Sequence, residues 1–362
     1  MHTPPAPRFR EVLTGLTPFR PSPRPVAPDG TTHLLGANES PHGPLPSVIA
    51  AMAGSMAQVH RYPHFGNPVL AAVLADHLGR TPDHVVLGCG STGLIQTALN
   101  SVTEPGGEVV FAWRSFESYP RMVALAGLVP VPVPLRADSH DLDAMAAAIT
   151  SRTRMVIVCN PNSPTGTCVR REELERFLDR VPPTCPVLLD EAYREYVRDP
   201  AVPDGLTLRP RPNVVVLRTF SKAHGLAGLR VGYAVTEPAT AGFIRRANLS
   251  FAVNRVAEAA AIASLQAADE LRERVDGDVA ERDRLGAALR GLGLPVPESQ
   301  GNFLWVGPGP HLDPLLAECR QRGVAVRAFD GEGARITVGL PRATEAVLAA
   351  AAAVPLRSSV AA

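Results

Sequence analysis

The chain of 362 residues carries 35 arginines and one lysine, Lys222. Arginine stays protonated at physiological pH, whereas a lysine amine that its surroundings deprotonate can attack a carbonyl carbon. In a sequence that uses arginine wherever a positive charge suffices, the lone lysine marks a position arginine cannot fill. By count alone a leftover surface residue would look the same, but the setting argues otherwise. Arg218-Thr219-Phe220-Ser221-Lys222 is followed by a Gly-rich stretch ending at Arg230. Hydroxyls and a guanidinium beside a nucleophilic amine are the donors that hold a phosphate.

Three more clusters fall at strand ends or strand-to-helix turns, where open α/β sheets gather their ligands. Gly88-Cys89-Gly90-Ser91-Thr92 reads as a turn entering a helix, whose N–H groups and hydroxyls can cradle a phosphate; a turn that merely needs glycine would look alike. Asn160-Pro161-Asn162-Ser163-Pro164-Thr165-Gly166 forms a rigid turn directly after a buried strand, so its polar side chains are aimed. Asp190-Glu191-Ala192-Tyr193 closes an apolar strand with a carboxylate that is costly to bury unless a cation meets it, although turn-capping Asp residues are common. An amine, a phosphate cup, an acid able to hold a pyridinium proton and a phenol together describe a site for pyridoxal 5'-phosphate (PLP).

The elements that would position these groups alternate. Helices are expected at 68–78, 92–102, 119–126, 142–149 and 171–180, and strands at 84–87, 108–112, 129–133, 155–159, 187–190, 214–218 and 230–234, with Arg230 opening the last. Strands separated by helices imply an α/β fold with a mostly parallel, doubly covered sheet. After Val253 apolar spacing predicts one or two long amphipathic helices, a bridge to a smaller α+β C-terminal domain with strands at 302–306, 324–327 and 335–338 and helices at 313–322 and 344–353. The expected division is an N-terminal arm (1–36) with one short helix around 9–16, a large domain (37–252), and an interdomain helix with the small domain (253–362).

Composition bounds the function. A formal net charge of +1 gives no reason to expect nucleic acid or an anionic membrane as partner. No apolar run is long enough to span a bilayer, and no secretory signal is visible, so a cytoplasmic protein is expected. The five cysteines are scattered without a C-x-x-C pair and read as reduced thiols, with no metal site.

In order along the chain, Asn38-Glu39-Ser40-Pro41, Arg61-Tyr62-Pro63, the Gly-Cys-Gly-Ser turn, the 160–166 turn, Asp190-Glu191-Ala192-Tyr193, the lysine segment, Asn302-Phe303 and Arg335-Ile336-Thr337-Val338-Gly339 resemble the fold type I PLP enzymes, in particular the histidinol-phosphate aminotransferase family. The segments 111–120 and 141–149 look most like its actinobacterial aromatic amino acid aminotransferase branch. The resemblance implies that Lys222 binds PLP covalently and then shuttles protons. It implies that Asp190 keeps the pyridine nitrogen protonated, Tyr193 meets O3' and Phe116 stacks on the ring. It places Gly90, Ser91, Ser221 and Arg230 around the cofactor's phosphate, joined by Tyr62 from the other subunit of a homodimer, with Thr219 a further cofactor-binding residue. Arg335 would take the substrate carboxylate with Asn38 and Asn302 nearby, and Arg327 is a further substrate-side candidate. Where the family has Asn to donate to O3', this chain has Ser163, so altered cofactor electronics are expected; His42 and His224 are smaller departures. The implied reaction is ping-pong transfer of an amino group from an aromatic amino acid to a 2-oxo acid such as 2-oxoglutarate. The alternatives are histidinol-phosphate aminotransfer in histidine biosynthesis, which Arg114 and Arg327 keep open, and a specialised PLP lyase or decarboxylase, for which Ser163 is the sequence support.

Overall fold

The structure, a computed structural model, describes residues 9–16 and 24–354, so part of the expected arm lies outside the described residues. The short helix expected near 9–16 is a 3-10 turn, Glu11–Leu13. The first half of the chain runs β1 (His33–Leu35), α1 (Pro46–Ser55), α2 (Pro68–His77), β2 (Val85–Gly88), α3 (Gly90–Ser101), β3 (Glu108–Trp113), α4 (Tyr119–Leu125), β4 (Val129–Pro134), α5 (Leu142–Ala147), β5 (Thr153–Cys159) and α6 (Arg171–Arg180). The second half runs β6 (Val187–Asp190), β7 (Val214–Thr219), β8 (Gly232–Val235), α7 (Pro238–Ala247), α8 (Arg255–Gln266), α9 (Ala268–Gly291), β9 (Phe303–Val306), α10 (Leu312–Gln321), β10 (Val324–Phe329), β11 (Gly333–Thr337) and α11 (Pro341–Ala352).

A seven-stranded sheet, ordered β2-β8-β7-β6-β5-β3-β4, forms the centre. Its pairings are parallel except those of β8, which runs against both neighbours. The interior strands are buried on both faces, and the two-residue strand period sorts their side chains into two cores. Val109, Phe111, Ile157, Leu188 and Leu217 pack on one side. Val110, Val156, Val158, Leu189 and Val216 pack on the other. The edge strand β4 alternates Val with Pro130, Pro132 and Pro134, residues tolerated only where one side of the backbone has no partner.

The sheet's loop-bearing edge receives the chemistry: β6 ends on Asp190, β7 runs into Ser221 and Lys222, and β2 feeds the α3 N-terminus. Arg230 does not open a strand; it sits in the left-handed region (φ 57°) after a 3-10 turn, and β8 begins at Gly232. That conformation turns the Arg230 guanidinium back toward Ser221.

A four-stranded sheet, β1-β10-β11-β9, carries the C-terminal region. Its core of Leu304, Val306, Leu315, Ile336 and Val347 includes Leu285 and Leu289 from α9. The strand β1 lies parallel to β10, so the segment expected to end a free arm is stitched into this sheet. The bridge after Val253 is two helices. Asn254 caps α8 by accepting from the Ala257 N–H, and α8 breaks at Ala267 before α9. The helix α9 spans both units, because Val275 and Val279 pack with Tyr193, Tyr196 and Ala223 while Leu285 and Leu289 enter the smaller core.

Candidate active site

Ser91, Phe116, Ser163, Asp190, Tyr193, Thr219, Ser221, Lys222 and Arg230, all anticipated from the sequence, line one cavity with about 520 Å³ of empty space, mouth included. At its inner end the strand β6 delivers Asp190, which is buried. The Tyr119 hydroxyl donates to Asp190 Oδ2 at 2.7 Å and the Ala192 N–H to Oδ1 at 3.2 Å. Burial raises the Asp190 pKa, against the pull of Tyr119, the Ala192 N–H and Lys222. A carboxylate in this position is completed by a cation. Tyr119 was not anticipated. It lies two residues beyond Glu117 in the stretch that carries Phe116, and nothing in its spacing distinguishes it from a core aromatic.

At the opposite end lies a cup of donors. Thr219 Oγ1 donates to Ser221 Oγ at 3.0 Å, and Arg230 Nη1 reaches Ser221 Oγ at 3.4 Å. The helix α3 begins at Gly90, so its free N–H groups face the same place. Gly90 adopts φ +71°, and a Cβ there would come within 2.6 Å of the Arg230 guanidinium. A Cβ on Gly232 would meet the Ser91 backbone N at 2.7 Å. Both glycines therefore allow β8, Arg230 and the start of α3 to converge.

Between the two ends, Lys222 Nζ donates to the Ala37 carbonyl at 3.1 Å and lies 5.8 Å from the centre of the Tyr193 ring. Its pKa is lowered to about 7, chiefly by burial and by the Arg335 and Arg230 charges, with Glu39 and Asp190 opposing. The lysine is therefore partly neutral at physiological pH, as a nucleophile or proton shuttle requires.

The outer wall collects the substrate-side candidates. Arg335 is buried on β11; its Nη1 donates to Ser163 Oγ at 3.0 Å and its Nη2 to the Gly36 carbonyl at 2.8 Å. Arg335 Nε and Asn302 Oδ1 are buried without hydrogen-bond partners. Asn38, itself left-handed (φ 52°), donates from Nδ2 to the Tyr193 hydroxyl at 2.9 Å, and Asn302 Nδ2 donates to the Asn38 carbonyl at 3.3 Å. Ser163 thus faces Arg335 and Tyr193 together, between the expected O3' and carboxylate positions. Arg327 pairs with Glu117 at 2.5 Å and Arg114 pairs with Glu332, so both candidate extra cations are engaged by carboxylates. Tyr62 lies outside the cavity, 78% exposed and stacked on Phe251 at 4.6 Å.

The donor set fits PLP at both ends. Hydroxyls, helix N–H groups and Arg230 match a phosphate, a buried unneutralised Asp190 matches a protonated pyridine, and an amine with a pKa near 7 lies between them.

Comparisons with known proteins agree. Residues 32–352 match the family described as aminotransferase class I and II. The aromatic amino acid aminotransferase of Thermobifida fusca is 52% identical over 353 residues, covering 97% of this chain and 98% of that one. The enzyme of the same name from Rhodococcus jostii is 53% identical over 326 residues, covering 90% of each. Among solved structures, a histidinol-phosphate aminotransferase from Sinorhizobium meliloti in complex with pyridoxal-5'-phosphate superposes with a TM-score of 0.85 at 30% identity, covering 97% of this chain and 98% of that one. The cavity around Lys222 and these matches along nearly the whole chain lead to one family: the protein is a class I and II aminotransferase of fold type I.

Proposed function

We propose that this aminotransferase moves the amino group of an aromatic amino acid to a 2-oxo acid such as 2-oxoglutarate, with PLP held at Lys222. The observation that carries the reading is the placement of one near-neutral amine between a phosphate cup, a buried carboxylate and a buried guanidinium. When bound, PLP supplies an electron sink that lets the Cα–H bond of an amino acid ionise.

The chain's own residues do the rest. Ser91, Thr219, Ser221, Arg230 and the N–H groups opening α3 bind the phosphate and fix the cofactor's depth. Asp190, braced by Tyr119, holds the proton on the pyridine nitrogen. Tyr193, Asn38 and Ser163 orient the ring edge. Arg335, with Nε free, pairs with the substrate α-carboxylate and so sets the Cα–H within reach of Lys222 Nζ. With its pKa near 7, Lys222 takes that proton and returns it one step later. The segment around Ala37 and Asn38 touches Lys222 and Tyr193 and so braces one wall of the cleft.

The names of the actinobacterial relatives support an aromatic donor. A phosphate-bearing donor would want an additional free cation, and Arg114 and Arg327 are both engaged by carboxylates, which disfavours the histidinol-phosphate alternative. Ser163 supports Arg335 by accepting its hydrogen bond, a role that serves carboxylate retention better than decarboxylation. The reading includes a homodimer in which Tyr62 of a second copy reaches the phosphate cup; the exposed Tyr62, Phe65 and Leu249 around Phe251 support such a surface. It keeps the large domain at 37–252 and the small domain from 253, with β1 crossing to the small sheet, as the separate cores support. It also places the enzyme in the cytoplasm. Among the described residues no helix is long and apolar enough to cross a membrane, and the five cysteines are free.

The test is a donor panel of Phe, Tyr, Trp, Asp and histidinol phosphate with 2-oxoglutarate, alongside borohydride fixation and peptide mapping. Aromatic donors should lead, and the fixed cofactor should map to Lys222. Carbon dioxide release, or preference for histidinol phosphate, would overturn the substrate assignment; cofactor fixed elsewhere would overturn the site.

A further inference from the structure

The residues from Gly36 to Gly43 form a strap that touches the principal groups of the site in succession. The Gly36 carbonyl accepts from Arg335 Nη2 at 2.8 Å and the Ala37 carbonyl from Lys222 Nζ at 3.1 Å. Asn38 Nδ2 donates to the Tyr193 hydroxyl at 2.9 Å, and the Asn38 N–H donates to Thr337 Oγ1 at 3.0 Å. One end of the strap is fixed because β1 is hydrogen-bonded to β10. The other end is fastened to α9 at two points: His42 Nε2 meets Asp278 Oδ1 at 3.0 Å, and Arg274 Nη1 donates to the Gly43 carbonyl at 2.7 Å.

Asp278 is an unusual residue to find there. Its side chain is 7% exposed while that of His42 is 32% exposed, so the carboxylate is the inner member of the pair. Its pKa is raised by burial and drawn down by His42 and Arg274. Tyr196 also lies close enough for Asp278 to raise its phenol pKa. The flanking residues Val275 and Val279 pack against Tyr193, Tyr196 and Ala223, so α9 is held rigidly at this point. Lifting the strap would strip a buried carboxylate of its imidazole and leave it the Arg274 charge alone, and losing a hydrogen bond to a buried charged group is costly.

We infer that His42 and Asp278 form a clasp that holds the 36–43 strap closed over the Lys222 cleft, and that the pair is a positioning device setting substrate affinity. The clasp touches neither the cofactor's expected place nor the reacting atoms. It acts through Gly36 and Asn38, whose contacts orient Arg335 and Tyr193. If binding requires the closed strap, apparent affinity scales with the fraction closed, and loosening the clasp raises KM while leaving kcat nearly unchanged.

The experiment compares His42→Leu, His42→Gln and Asp278→Leu with the parent protein. The glutamine amide can still donate to Asp278, whereas leucine cannot. Hydrogen exchange of the Asn38 amide in the cofactor-free protein reads the strap directly, and it does not rest on the proposed reaction. Exchange should quicken by about tenfold in both leucine variants, with KM for the aromatic amino acid raised by a similar factor and kcat held within about twofold. His42→Gln should restore both readouts toward the parent. Unchanged Asn38 exchange in the leucine variants, equal defects in His42→Leu and His42→Gln, or a loss confined to kcat would each overturn the clasp. His42→Phe fills the space without a hydrogen bond and repeats the comparison should His42→Leu not fold. Absence of transamination in the parent would remove the proposed reaction while the exchange arm still decides the clasp.

Discussion

The Tyr119 hydroxyl lies 2.7 Å from Asp190 Oδ2, joining the first turn of α4 to the end of β6 beneath the candidate cofactor site. Burial raises the pKa of both groups, Tyr119 well above the ordinary phenol range, so the proton stays on the phenol and the carboxylate accepts. Tyr119→Phe would leave Oδ2 without that donor and push the Asp190 pKa up further. A carboxyl that ionises less readily holds a pyridinium less firmly. PLP should then bind about tenfold more weakly, the loss expected for one hydrogen bond to a buried charge. Cofactor titration by absorbance checks it; an unchanged dissociation constant would disconnect Tyr119 from the site.

The phosphate cup depends on a missing side chain. A methyl at Gly90 would come within 2.6 Å of the Arg230 guanidinium and would also have to accept φ +71°. Gly90→Ala should displace Arg230 and open the α3 N-terminus. Cofactor affinity should fall by roughly tenfold to a hundredfold, the range for losing a charge-assisted contact, with little change in Arg335-dependent carboxylate binding. Parallel titrations with PLP and with a carboxylate inhibitor separate the two effects.

Residues next to punctuated turns were legible in the sequence; residues whose role depends on long-range folding were not. Asp190 ends β6, and Lys222, Ser163 and Gly90 sit in the turns just beyond β7, β5 and β2, so a strand and its turn announce them. Tyr119 and Asp278 have no local signal: each is one member of a helical pattern, and its partner lies 71 or 236 positions away. The same holds for the fold. The apolar strands of the central sheet match their expected places within a few residues, because double-sided burial writes a continuous β-branched run. The helices α1 and α7 went unread. Small side chains leave α1 with little apolar stripe, and α7 buries Ala241 and Ile244 alone, too few apolar positions to set a period. The strand β1 is three residues long and takes its identity from β10.

The ion pair between Glu117 and Arg327 predicts a change of substrate preference. Glu117 engages the Arg327 guanidinium, which the proposed reading sets on the substrate side of the site. Glu117→Gln keeps the shape and frees the charge. The ratio of kcat/KM for dicarboxylic or phosphate-bearing substrates to that for Phe should rise by about threefold to tenfold, a modest gain because Arg327 is partly solvated. A ratio that stays fixed would place Arg327 outside the reach of any substrate.

Lys222 carries a stability prediction whose sign follows from its titration. In the folded protein the amine releases its proton near pH 7, against 10.5 for an ordinary lysine. Between those values the unfolded chain binds more protons than the folded one, so stability climbs with pH across the window. Below pH 7 the folded protein must carry a charged amine in a cleft that disfavours it, and the cost is then fully present. Lys222→Met removes that cost. The cofactor-free variant should be more stable by about 2–3 kcal/mol on the acid side, short of full conversion of the shift because the amine borders an open cleft. The advantage should shrink as pH approaches that of an unperturbed lysine. Urea midpoints of both cofactor-free proteins at about pH 6 and about pH 10 measure it, provided each stays two-state. A stabilisation that does not vary with pH would mean that methionine acts by packing alone. A destabilised variant would mean that the bond from Lys222 Nζ to the Ala37 carbonyl outweighs the burial of its charge.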